Sequence, residues 1–302
     1  MKSITIARAN YSPYFKDNFK IREYEELSRL GLFQKAVESS PEILITNTDT
    51  NLNDLFEQDL LKKTKLIIHP NSGYDNISKG LIKELGIQVI LGNSIRKEPV
   101  VNYCLSCLFE RFKPVPWCTA WQSGREWNRP NLSEKSALII GYGHIGKSLE
   151  QKLSQLLKNI YIHDPSENKI GLDKKEKADF IFICASLTES SRNMIDKVFL
   201  KSLKRNVAII NPARGKIINI DDLTDFLASS PDAMAYLDVF PKEPYPIENF
   251  NHLPNIKVSC HVAGVFDNID EKIIDFERSV IDDYIQMSNS SFEQKYESLK
   301  LK

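Results

Sequence analysis

Residues 137–150 read ALIIGYGHIGKSLE. Four apolar residues, Ala137 to Ile140, run into Gly141-Tyr142-Gly143-His144-Ile145-Gly146, after which the pattern turns helical. A strand, a G-x-G-x-x-G turn and a helix form the opening of a dinucleotide-binding unit. Gly141 serves the tight turn, Gly143 admits a pyrophosphate against the backbone, and Gly146 lets helix pack on strand. Unpaired amides and the dipole at the helix N-terminus favour the phosphates. A second strand, Ile160 to His163, ends at Asp164, 18 residues past Gly146. A carboxylate there binds the adenosine ribose hydroxyls and repels a 2′-phosphate, which predicts NAD rather than NADP.

Outward from this turn, short β-branched runs alternate with longer helix-period segments, the pattern of an α/β fold with parallel sheets. Before it, strands are expected at 4–7, 42–46, 66–69 and 88–91, with a helix over 77–85 that stops at Gly86. A long helix is expected from Glu98 to Phe112, with Pro99 in its first turn. After the turn, further strands are expected at 180–185, 207–211, 233–238 and 256–259. A closing helix follows over 267–287, and the polar tail to Lys302 is expected to be mobile. A length of 302 residues suits two domains, and a glycine turn this far along the chain makes the cofactor domain inserted or second.

Composition excludes several classes. The chain is 42% hydrophobic, too apolar for disorder, and 40 Lys and Arg balance 40 Asp and Glu. That neutrality argues against nucleic acid or an anionic membrane as the main partner. No apolar stretch is long enough to span a bilayer. The apolar run after Met1-Lys2-Ser3 is too short for a signal-peptide core, so a cytoplasmic setting is expected. Five cysteines make no disulfide framework. Cys104 and Cys107 read C-x-x-C, but they lie in an apolar helical run without nearby histidine, which predicts core packing and no metal.

Three later stretches end strands: Asn211-Pro212-Ala213-Arg214-Gly215, Leu237-Asp238-Val239-Phe240-Pro241-Lys242-Glu243-Pro244, and Ser259-Cys260-His261-Val262-Ala263-Gly264. Strand carboxyl ends line the ligand crevice of a doubly wound sheet, so all three can converge on one site. With Ser72-Gly73-Tyr74-Asp75-Asn76-Ile77, the glycine turn and LTESSRNMI at 187–195, they stand in the order found in the D-isomer-specific 2-hydroxyacid dehydrogenase family. The chain resembles that family from about Ser72 to His261.

The resemblance implies two Rossmann-like, doubly wound parallel-sheet domains with a cleft between them. Residues 1–96 plus 271–302 would be the flavodoxin-like substrate domain, and 97–270 the NAD-binding domain. It implies a catalytic set of Arg214, Glu243 and His261. A histidine suits proton transfer near neutral pH, a carboxylate on its far nitrogen fixes the tautomer, and arginine grips a carboxylate. It further implies cofactor contacts at His144, Ile145, Ser186, Pro212, Ala213, Arg214, Asp238, His261 and Gly264. Ser72 and Gly73, with Arg214 and His261, would meet the substrate. Departures from the family pattern occur at Asn102, Ser186 and Phe266, the last close enough to His261 to affect pocket shape.

The substrate would be a small 2-hydroxy or 2-oxo acid. The loop Thr46 to Asn51 has no Lys or Arg for a phosphorylated substrate, although Arg96 can supply that charge. The loop Asn10 to Phe15 is either a pocket border or a surface turn. The segment 111–135, with Trp117, Trp121 and Trp127, is either a dimer contact or a cap on the core; the resemblance favours a homodimer. The alternative function is a non-catalytic NAD(H)-responsive protein of corepressor type on the same scaffold.

Overall fold

The computed structural model describes residues 4–13, 15–34, 36–112, 118–121, 123–124 and 130–301. Tyr14, Trp117 and Trp127 lie outside the described residues. The chain forms two compact units, Met1–Arg96 with Val265–Lys302, and Lys97–Gly264.

The first unit holds β1 (Thr5–Arg8), β2 (Leu32–Gln34), β3 (Ile43–Ile45), β4 (Leu66–His69) and β5 (Gln88–Leu91), with α1 (Asp17–Leu27), α2 (Leu52–Glu57) and α3 (Lys79–Leu85) between them. Its five parallel strands are ordered β2-β1-β3-β4-β5. Alternate residues supply two cores, because successive strand side chains point to opposite faces. Ile43 and Ile45 join Leu27 of α1 on one face, while Leu44 joins Leu52 and Ile82 on the other. Ser78 caps α3 by accepting the Leu81 amide, and Gly86 ends it at φ 66°.

The edge strand β2 is not among the expected strands. Three residues, of which only Phe33 is buried, are too short to show an alternating pattern. The tail also departs from expectation. After α8 (Ile269–Gln286), residues 289–296 form α9 (Asn289–Tyr296), and the Leu301 amide donates to the Val89 carbonyl. Phe292 and Tyr296, one helical turn apart, enter the core beside Val280 and Ile281, so the tail is packed rather than mobile. Two aromatic anchors hold a segment that reads as polar.

The second unit holds β6 (Ser136–Ile140), β7 (Asn159–His163), β8 (Phe180–Ile183), β9 (Ala208–Asn211), β10 (Met234–Leu237) and β11 (Ile256–Val258). They form one parallel sheet ordered β11-β10-β9-β8-β6-β7, a doubly wound arrangement whose direction of travel reverses at β6. Ala137 and Ile139 face α4 (Asn93–Arg111) and α5 (His144–Leu153). Leu138 and Ile140 face α6 (Lys197–Lys201) and α7 (Ile220–Ser229). A strand covered on both faces must be apolar throughout, which is why β6 reads as an unbroken run. Cys104 and Cys107 are buried core residues of α4.

Helix α4 begins at Asn93, five residues before the expected Glu98, and Pro99 lies inside it. Proline removes one i→i−4 bond and crowds the carbonyl four residues before it, and α4 continues through both. Among the described residues, no helix is long and apolar enough to cross a membrane.

Candidate active site

In a parallel sheet all strand carboxyl ends share one edge, and the second unit places there every residue expected of it. The turn after β6 is built for close approach. Gly141 has φ 94°, and a side-chain carbon on it would lie 2.5 Å from the Ala185 backbone. A carbon on Gly146 would lie 2.1 Å from the Gly141 carbonyl oxygen. A carbon on Gly143, in contrast, would meet nothing within 4 Å, so this stretch of backbone is open to a ligand. Gly143 is also the N-cap of α5, whose first amides lie beside it.

His144 stands in the first turn of α5. Its Nε2 is buried and has no hydrogen-bond partner among the described residues. Burial, with Lys97 adding to it, pushes this imidazole down to about 4, so the ring is neutral near neutral pH. Ile145 packs against the α4–α5 core. An open glycine, the first-turn amides of a helix and an orphaned ring nitrogen fit a dinucleotide phosphate group.

Asp164 follows β7. Its Oδ2 accepts the Tyr142 amide at 2.7 Å, tying β7 to the glycine turn. Its Oδ1 accepts the Ser166 amide at 3.0 Å and hydroxyl at 2.6 Å. Burial pushes the Asp164 carboxyl up, but these donors outweigh it and hold it below its ordinary value. Asp164 is therefore a fixed negative charge beside the turn. Ser186, after β8, is exposed, and its carbonyl accepts the Ser191 hydroxyl at 2.8 Å.

The neighbouring ends of β9, β10 and β11 carry the remaining groups. Buried Asn211 shapes its own loop: its side chain donates to the Arg214 carbonyl at 3.0 Å and accepts the Ala213 amide at 3.1 Å. Pro212 is buried within this turn, and Arg214 Nη1 donates to the Ala213 carbonyl at 2.7 Å. The loop after β10 returns Glu243 towards its own strand end, where Oε1 accepts the Phe240 amide at 2.9 Å. Glu243 Oε2 lies 2.8 Å from Nδ1 of His261. His261 has φ 54°, a left-handed backbone, and its side chain is 57% exposed. Gly264 closes this stretch and the unit.

Asp238 is 1% exposed and organises the turn that carries His261. Its carbonyl accepts the His261 amide at 2.8 Å. Its carboxylate accepts the Val262 amide at 2.8 Å and the Ala263 amide at 2.9 Å. Asn211 builds its turn through these contacts, and an asparagine before Pro-Ala-Arg at a strand end is the sequence signal for it.

Ser72 and Gly73 belong to the first unit, in the turn after β4. The Ser72 hydroxyl is buried without a partner among the described residues. The Gly73 carbonyl lies 2.8 Å from Nε2 of buried His69, whose Nδ1 lies 2.9 Å from the Thr46 hydroxyl. A carbonyl only accepts, so Nε2 carries a proton. Arg96 reaches the same turn, donating to Asn71 Oδ1 at 3.2 Å.

Residues 106–263 match the sequence pattern described as D-isomer specific 2-hydroxyacid dehydrogenase, NAD binding domain. Over 261 residues the chain is 28% identical to the glycerate dehydrogenase of Methylorubrum extorquens, covering 80% of this chain and 82% of that protein. It is 26% identical over 223 residues to the D-3-phosphoglycerate dehydrogenase of Bacillus subtilis, covering 68% of this chain but only 42% of that longer protein. The D-lactate dehydrogenase of Aquifex aeolicus, solved in complex with NAD and lactic acid, superimposes with a TM-score of 0.74 over 98% of both chains. At 17% identity that likeness shows a shared fold.

Proposed function

Because this chain belongs to the D-isomer specific 2-hydroxyacid dehydrogenase family, we propose that it interconverts a small D-2-hydroxy acid and its 2-oxo acid, with Arg214, Glu243 and His261 as the catalytic set. The observation that carries this reading is the 2.8 Å contact between Glu243 Oε2 and His261 Nδ1. With Nδ1 held by a carboxylate, Nε2 is left for proton transfer.

NAD(H), when bound, supplies or accepts the hydride. In the reductive direction His261 gives its proton to the nascent alkoxide, and in the oxidative direction the neutral ring takes the hydroxyl proton. Glu243 holds the ring through Nδ1. Arg214 grips the substrate carboxylate and polarises the keto oxygen through its planar fork. Within the first unit, Ser72 and Gly73 are the residues assigned to substrate binding, and the buried Ser72 hydroxyl, without a partner among the described residues, supports this assignment.

Unit Lys97–Gly264 is the cofactor domain in this reading, and Met1–Arg96 with Val265–Lys302 the substrate domain. Gly141, Gly143, His144, Ile145 and Gly146 hold the pyrophosphate region, and Asp164 the adenosine ribose. Ser186, Pro212, Ala213, Asp238 and Gly264 border the rest of the cofactor. A cytoplasmic homodimer completes the reading. A dissociable cofactor needs a compartment that recycles it, and Trp121, 85% exposed, offers aromatic surface of the kind found at interfaces.

The test is a panel of glyoxylate, hydroxypyruvate, pyruvate, and branched and aromatic 2-oxo acids, followed by NADH absorbance. Turnover of at least one is expected. No turnover of any, with NADH still bound, would replace this reading by a non-catalytic NAD(H)-responsive protein.

A further inference from the structure

His261 holds a backbone conformation that its Cβ disfavours, at φ 54° on an exposed turn. What opposes relaxation is Asp238, whose carboxylate and carbonyl together receive the amides of 261, 262 and 263. Asp238 is itself held from behind. Ser259 Oγ donates to Asp238 Oδ1 at 2.6 Å, and the Tyr103 hydroxyl of α4 lies 2.9 Å from Ser259 Oγ. A carboxylate only accepts, so the single Ser259 proton is committed to Asp238. Tyr103 must then be the donor to Ser259, which makes the chain directional: phenol to hydroxyl to carboxylate. Such a chain polarises each successive bond. Burial pushes the neighbouring Cys107 thiol up to about 11 against an opposing hydrogen bond from Tyr103, and a neutral thiol is a weak acceptor beside the Ser259 hydroxyl.

We propose that Tyr103 and Ser259 are positioning residues for His261, holding Asp238 so that it clamps the 261–263 turn and aims the imidazole at Glu243. This rests on the acid–base role given to His261 above. Neither residue touches the reacting atoms in this scheme; both act through Asp238.

The full-length protein with Tyr103→Phe, Ser259→Ala, Ser259→Thr and the double change Tyr103→Phe/Ser259→Ala tests it through two readouts. Hydrogen exchange at the amides of 261–263 reports the clamp without needing turnover, and kcat against the KM for NADH reports its consequence. Ser259→Ala is expected to speed that exchange at least about fivefold and lower kcat about tenfold with the KM for NADH nearly unchanged, since small misplacements of a catalytic group are costly. Tyr103→Phe changes both in the same direction but less. Ser259→Thr, which keeps the hydroxyl, restores both. The double variant behaves like Ser259→Ala alone, because in this scheme Tyr103 reaches Asp238 through Ser259.

Unchanged exchange in Ser259→Ala, faster exchange with unchanged kcat, additive effects in the double variant, or failure of Ser259→Thr to restore would each overturn the proposal. If Ser259→Ala does not fold, Tyr103→Phe and Ser259→Thr still decide it. Faster exchange in Ser259→Ala, in a protein whose unsubstituted form reduces no 2-oxo acid, would sustain the clamp and refute the dehydrogenase reading instead.

Discussion

Glu243 bridges two turns: Oε1 accepts the Phe240 amide of its own loop at 2.9 Å, and Oε2 meets His261 Nδ1 of the next strand end at 2.8 Å. One oxygen fixes the carboxylate to the sheet, and the other fixes the imidazole to the carboxylate. Replacing Glu243 by Gln keeps the shape but exchanges the charged partner of Nδ1 for a neutral amide, a weaker hold on the ring. We expect Glu243→Gln to lower kcat roughly a hundredfold, within the range of a general acid–base contribution, while NADH binding stays intact. His261→Ala should lose at least as much. NADH fluorescence titration beside steady-state kinetics checks both, and lost NADH binding would mark His261 as structural.

Asp164 holds the Tyr142 amide, and its charge sits beside the glycine turn. Asp164→Ala should weaken NADH about tenfold or more, the loss of one charge-assisted hydrogen bond of about 1.5–3 kcal/mol, and narrow the discrimination against NADPH. Comparative titration with NADH and NADPH measures this. Equal use of both cofactors by the unsubstituted protein would contradict the role of Asp164.

Arg8 is fully buried between two carboxylates, with Nε 2.6 Å from Glu23 Oε1 and Nη2 2.5 Å from Glu277 Oε1. One guanidinium cannot neutralise both. Burial pushes Glu277 up to about 8, with Arg8 opposing the rise and Glu23 adding to it. The folded protein therefore keeps a proton that the unfolded chain releases near its ordinary value of 4.5. Stability falls as pH rises through that window, because the unfolded state binds fewer protons. Glu277→Gln should match the unsubstituted protein near pH 5 and surpass it above about pH 8, in thermal denaturation across that range. Parallel curves would refute the buried proton.

Phe292 is 3% exposed and sits edge-on to Tyr284, with ring centroids 5.5 Å apart. Phe292→Ala should cost about 3–5 kcal/mol in denaturant unfolding, the usual loss for a buried aromatic. A change under about 1 kcal/mol would return the tail to the mobile state that its polarity suggests.

The sequence by itself determined whatever depends on near neighbours along the chain. The run Ala137–Ile140 before GYGHIG marked an apolar strand leading into a turn open to phosphate. The structure divides that strand between two cores and leaves Gly143 open. Arg214, Glu243 and His261 were legible as strand-end residues, since parallel strands put all such ends on one edge. Tertiary structure alone decided what depends on distant pairing. β2 exists because β1 offers it a parallel edge, not because Leu32–Gln34 has a strand pattern. Phe292 and Tyr296 become core only when α9 folds back over the first sheet. Tyr103 and Ser259 stand 156 residues apart, and no local periodicity joins a phenol on a helix to a hydroxyl at a strand end. Periodicity and turn chemistry are local properties of a chain. The partner of a hydrogen bond is set by how the chain closes in space.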